Sequence, residues 1–148
     1  MANKSNKNSN QSSQKMPVPL ASLPAVLLPW YDREKRSLPW RDIVTPYRTW
    51  VSEIMLQQTR VQAVLPYFER FMSAAPDVPA LAELAEDRLL SLWQGLGYYS
   101  RARSLQRSAR VMVDQYGGCL PDTYSDLIQL PGIGDYTAGA ILSIAFNK

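Results

Sequence analysis

Histidine is absent from this chain of 148 residues, and cysteine occurs once, at Cys119. Those two shortages exclude intrachain disulfides, zinc sites built from cysteine and histidine, histidine triads and a complete cysteine-ligated cluster held by these residues alone. Enzyme chemistry, if present, must then run on carboxylates, lysine, hydroxyls or tyrosine. No run approaches the roughly 18 apolar residues of a membrane helix, and the N-terminus lacks a signal-peptide core, so the expectation is a cytoplasmic protein without membrane contact. A strong charge of one sign is missing too: 16 basic against 13 acidic residues permits an anionic partner without demanding one. What the chain does have is 46% hydrophobic composition, enough for one buried core.

Met1 to Lys15 are almost entirely Asn, Ser, Gln and Lys, which cannot offset the entropy of ordering, and residues 1–21 read as a disordered polar tail. Residues 22–41 read as a first helix, threatened with a kink at Pro29, and a Leu38-Pro-Trp-Arg41 turn that ends it. Residues 42–148 then carry helical spacing throughout. One helix is expected from about Pro46, short ones at Ala80 to Ala85 and Asp87 to Gln94, and a longer one from Ser100 to Tyr116 stopped by Gly117-Gly118. No segment alternates with period two for long, so the fold class expected is all-α. The arginines gather at positions 33 to 60 and again at Arg101, Arg103, Arg107 and Arg110, the second group reading most simply as a solvated helix face.

A glutamate in Trp50-Val-Ser-Glu-Ile-Met-Leu-Gln-Gln-Thr-Arg60 poses a problem. Projected at about 100° per residue, this stretch and its continuation to Met72 put Trp50, Ile54, Val61, Val64, Leu65, Phe68, Phe71 and Met72 in one apolar stripe. Glu53 and Gln57 fall inside it. An ionised carboxylate buried without a partner is costly enough that it usually takes up a proton. Glu53 is therefore either a carboxylate that escapes to solvent or pairs with Arg41 or Arg60, or a functional acid.

Near the end, Leu130-Pro-Gly-Ile-Gly134 separates two short helices between residues 123 and 146. The amides of the first turn of the second helix lack intrahelical partners, and glycines without Cβ let another backbone come close. Such a turn binds phosphate oxygens and grips a nucleic-acid backbone without reading bases. The segment resembles the helix-hairpin-helix motif, with Gly132, Gly134 and Thr137 as the expected contacts.

Taken with Leu38-Pro-Trp-Arg41, Trp50 to Arg60 and Gly95-Leu-Gly-Tyr-Tyr-Ser-Arg101, in that order, the hairpin makes the chain similar to the adenine DNA glycosylases of the MutY family. The resemblance implies a six-helix module of the helix-hairpin-helix glycosylase fold. It implies hydrolytic removal of adenine mispaired with 8-oxoguanine or guanine in double-stranded DNA, by a monomer working in the bacterial cytoplasm at the nucleoid. Glu53 would protonate the flipped adenine. Arg36, Trp40, Arg41, Leu56 and Tyr136 would line the adenine pocket. Gln57, Gln58, Thr59, Leu96 and Tyr98 would reach into the duplex, with Tyr98 as wedge. Bifunctional relatives carry a lysine where this chain has Tyr136, so a monofunctional glycosylase is implied.

The departures from the family lie at the C-terminal end. The family's second catalytic aspartate, its four cysteines for a [4Fe-4S] cluster and its 8-oxoguanine-recognising domain have no counterpart here, and Cys119 matches no cluster ligand. The expectation is thus a portion truncated before the iron-sulfur domain, binding no cofactor or metal itself and lacking full activity alone, with the apolar face of its first helix uncovered. A non-catalytic helix-hairpin-helix DNA-binding module, with Glu53 merely structural, is the competing reading; a purely structural helical bundle leaves the hairpin unexplained.

Overall fold

The computed structural model describes residues 19–148; the polar tail up to position 18 lies outside the described residues. The chain divides into two compact units after Arg36. In the first, a 3-10 turn at Leu20–Ser22 leads into α1 (Leu23–Glu34), which carries Pro29 in its interior and buries none of its residues. Val26, Leu27, Leu28 and Trp30 all stand exposed on it.

The second unit contains α2 (Pro39–Asp42), α3 (Pro46–Leu56), α4 (Val61–Ala74), α5 (Val78–Glu83), α6 (Glu86–Trp93), α7 (Tyr99–Gln115), α8 (Tyr124–Leu127) and α9 (Asp135–Phe146). No strand occurs among the described residues. Several helices start on a side-chain cap: Thr45 Oγ1 accepts from the Arg48 amide at 3.1 Å, Asp77 Oδ1 from Ala80 at 2.8 Å and Thr123 Oγ1 from Asp126 at 3.2 Å. Gly117 and Gly118, both at positive φ, close α7, with the Gly118 amide donating to the Met112 carbonyl.

α3 is the axis of this unit. It packs against α2, α4, α7 and α9, and buries Tyr47, Thr49, Trp50, Val51, Ser52, Ile54 and Met55, positions that run all round the helix. α4 adds Val64, Phe68 and Phe71 on one face, and α6 adds Trp93. The aromatic rings meet edge to face: Phe71 on Trp93 at 6.1 Å and Trp40 on Phe68 at 5.1 Å between centroids.

The continuous helical projection through residues 50–72 does not hold. α3 stops at Leu56, and Gln58 takes a left-handed conformation with φ of 57° before α4 begins at Val61. The stripe still faces one core, because α3 and α4 pack on each other; Trp50, Ile54, Val64, Phe68 and Phe71 are buried in it and Val61, Leu65 and Met72 partly so. Pro66 sits inside α4 rather than at a boundary.

Candidate nucleic-acid interface and active site

Glu53 lies in the middle of α3, flanked by the buried residues Ser52 and Ile54, and is itself half-buried. Among the described residues it makes no ion pair. Burial raises the Glu53 carboxyl above the usual carboxylate range; the positive charge of exposed Arg41 opposes that rise without cancelling it. Of the two structural alternatives, escape to solvent or pairing with arginine, the side chain takes neither fully. Its charged form is disfavoured relative to that of an exposed carboxylate, the direction a proton donor needs.

One turn further on, Gln57 reaches the start of α9, its Nε2 donating to Thr137 Oγ1 at 3.4 Å. Thr137 is buried, and the residue before it, Tyr136, is 81% exposed. The hairpin is built as its glycines suggest. Ile133 is buried in the core and Ser108 Oγ donates to the Pro131 carbonyl at 2.7 Å, which ties the turn to α7. Gly132 has φ of 80°, and a Cβ there would lie 2.9 Å from that of Ser104, so backbone conformation and close approach both call for glycine. Gly134 is the N-cap of α9 and supplies no side-chain acceptor to the first-turn amides; the space beside its Cα is open. Asp135 accepts a 2.7 Å bond from the Tyr124 hydroxyl.

The remaining sequence-derived positions divide by exposure. Tyr98 is 65% exposed with φ of 49°, and Gln58 is exposed with a similar backbone; Thr59 and Leu56 are partly buried. Leu96 and Trp40 are buried, and Trp40 is a core residue against Phe68. Arg36 is exposed and belongs to the first unit.

Arg101 does not share the solvated face that the arginine spacing of this helix suggests. Its guanidinium donates to the carbonyls of Ile54 at 2.9 Å, Met55 at 3.2 Å and Gln57, to Thr59 Oγ1 at 3.5 Å, and to the carbonyls of Leu96 and Gly97, both at 3.2 Å. Carbonyls at the end of α3 are thereby capped, that of Ile54 accepting from the Gln57 amide as well. The plane of the guanidinium also lies over Trp93 and Tyr98, 5.5 and 5.7 Å from their centroids. Burial pulls the Arg101 guanidinium below its usual range, with the neighbouring Tyr98 opposing that shift. Spacing gave no sign of this role, since Arg101 precedes the buried Ala102 on a helix whose next arginines, Arg103, Arg107 and Arg110, are indeed exposed. Beside it, Trp50, Gln57, Arg101, Ser104 and Gly132 help to line a hollow of about 230 Å³, and the buried Trp50 Nε1 and Arg101 Nε have no hydrogen-bond partner among the described residues.

A helical bundle whose glycine hairpin opens a helix with uncapped amides, packed on the helix that carries the half-buried carboxyl, is a helix-hairpin-helix protein. Residues 51–145 match the family described as HhH-GPD superfamily base excision DNA repair protein. The chain belongs to that superfamily. It is 46% identical over 122 residues to the adenine DNA glycosylase of Buchnera aphidicola subsp. Baizongia pistaciae, a match covering 82% of this chain and 35% of that relative. Against the adenine DNA glycosylase of Homo sapiens it is 49% identical over 131 residues, covering 82% of this chain and 24% of the human protein. It thus spans about a third or less of the length of these curated relatives. Among solved structures, a thermostable thymine-DNA glycosylase superposes with a TM-score of 0.76 at 27% identity, covering 84% of this chain and 58% of that one. An endonuclease III trapped in a covalent DNA intermediate gives 0.71 at 20% identity, covering 83% and 57%, and speaks to the fold alone.

The chain's own residues do not fit an iron-sulfur cluster, because its one cysteine stands alone and exposed and no trio of metal-ligating side chains occurs among the described residues. No described helix is long and apolar enough to cross a membrane.

Proposed function

We propose that this chain is the DNA-engaging module of an adenine DNA glycosylase, and that the whole protein removes adenine mispaired with 8-oxoguanine or guanine by hydrolysing its N-glycosidic bond. The observation that carries the reading is Glu53: a half-buried carboxyl, raised by burial, on a helix whose surrounding sequence is close to half identical to adenine glycosylases. The flipped adenine is protonated at N7 by Glu53, which makes it a better leaving group, and the sugar gains oxocarbenium character as the bond lengthens. Trp40, Arg41, Leu56 and Tyr136 form the adenine pocket. The hairpin amides behind Gly132 and Gly134, with Thr137, hold a phosphate. Gln58 and Tyr98 enter the duplex from loops that Gln57, Thr59 and Leu96 complete, exposed Tyr98 filling the stack that the extruded base leaves.

Tyr136 stands where an amine nucleophile would be needed for a Schiff base, so water completes the reaction and borohydride traps no covalent complex. α1 is the segment that packs against the domain bearing the family's [4Fe-4S] cluster. The protein works as a monomer on chromosomal DNA, which in a bacterium places it at the cytoplasmic nucleoid.

Single-turnover release of adenine from a duplex containing adenine opposite 8-oxoguanine tests the reading in the whole protein. Glu53→Gln is expected to keep duplex affinity within about twofold and to slow release by about 100-fold or more, the usual contribution of a general acid. Equal release by the variant would remove Glu53 from the chemistry. Binding without release by the unmodified whole protein would make it a non-catalytic helix-hairpin-helix module.

A further inference from the structure

We propose that Arg101 is a positioning residue that joins the Gln57–Thr59 loop and the Leu96–Tyr98 loop into one rigid unit, so that both enter a distorted duplex together. The two loops come from distant parts of the chain and share no secondary structure. Among the described residues, the hydrogen bonds that link them run through Arg101: its Nη1 donates to the Gln57 carbonyl, its Nη2 to Thr59 Oγ1 and to the Leu96 and Gly97 carbonyls. Each loop also contains a non-glycine residue at positive φ, Gln58 and Tyr98, a conformation that persists only where the surroundings impose it. The same guanidinium lies under the Tyr98 ring. A planar fork of five donors can serve several carbonyls at fixed angles; an ammonium on a flexible stem cannot.

This inference rests on the reading above that the two loops face DNA, and the tests are arranged to separate the two. The first uses no DNA. In Arg101→Met, amide hydrogen exchange at Thr59 and at Leu96 is expected to accelerate together, by tenfold or more. Gln106→Leu is the control, because it removes buried hydrogen bonds from the same helix, to the Leu81 and Leu84 carbonyls, without touching either loop. Its loop amides should exchange at the wild-type rate after correction for any common loss of stability. Uncorrelated exchange in Arg101→Met would overturn the coupling. Should that variant not fold, Arg101→Lys gives the same reading, since it keeps the charge and loses the fork.

The second test measures binding to a duplex carrying 2-aminopurine opposite 8-oxoguanine and to a fully paired duplex. Arg101→Lys is expected to hold the paired duplex within about twofold, with an unchanged salt dependence, because the hairpin grip is intact. Its preference for the mismatch and the fluorescence rise on unstacking should fall about tenfold, while Gln106→Leu retains both. A wild-type mismatch preference that Arg101→Lys preserves would overturn the inference and leave the functional reading standing. A wild-type whole protein with no preference for the mismatch would overturn both, even if the exchange experiment showed the loops moving as one.

Discussion

A single carboxyl and a single glycine show how residue-level physics turns into measurable behaviour. Burial raises Glu53, so its charged form is disfavoured in the folded state relative to the unfolded one. The sign follows: between the unfolded and folded values the native state holds the extra proton, stability falls as pH rises through that window, and the loss is complete above the folded value. Glu53→Gln should therefore melt higher than the unmodified chain at pH 8, and the difference should shrink to nothing near pH 3.5, where both states are protonated. Identical differences at both pH values in a thermal melt would contradict a raised Glu53. At Gly95, φ of 102° and a Cβ that would collide with Tyr67 Oη give a substituent both strain and a clash. Gly95→Ala should cost about 1–3 kcal/mol in urea unfolding. Adding Tyr67→Phe, which removes the clashing hydroxyl, should recover part but not all of it, leaving a measurable non-additivity.

At the scale of elements, the sequence was most readable where one device decides the outcome. Pro46 announces the start of α3, and Gly117-Gly118 announces the end of α7; both helices are bounded there. Thr45→Ala should lower stability by about 1 kcal/mol, checked by the urea midpoint at constant slope, since one cap bond at the central helix is lost. Glu53 was legible for a related reason, a charge in an apolar stripe being a local contradiction that periodicity exposes. The break after Leu56 was not legible, because the left-handed residue is a glutamine and nothing local marks it. Arg101 stayed hidden because its acceptors are backbone carbonyls 44 to 47 residues away as well as 4 and 5 away, and carbonyls are the one chemical group every sequence position shares. Trp40 is ambiguous in the other direction: its motif implies a pocket wall, while its buried ring against Phe68 is what any core tryptophan would show.

For the whole molecule, the aromatic centre of the second unit governs stability. Phe71 is fully buried against Trp93, and Phe71→Ala should remove about 3–5 kcal/mol, a large share of the roughly 5–15 kcal/mol by which a domain is stable. Calorimetry would show it as a lowered melting temperature in the cooperative transition of this unit. A loss under about 1 kcal/mol would mean that the aromatic cluster repacks around the cavity. The pairing of α3 with α9 bears on a different moment in the protein's life. Gln57 and Thr137, which meet where these helices touch, are 80 residues apart in the chain. A ribosome adding roughly 5–20 residues per second makes α3 about 4–16 seconds before its partner exists. Through that interval the face of α3 destined for α9 is without its cover, so nascent-chain chaperones have their longest opportunity on this helix, and codon choice between the two segments sets how long it lasts.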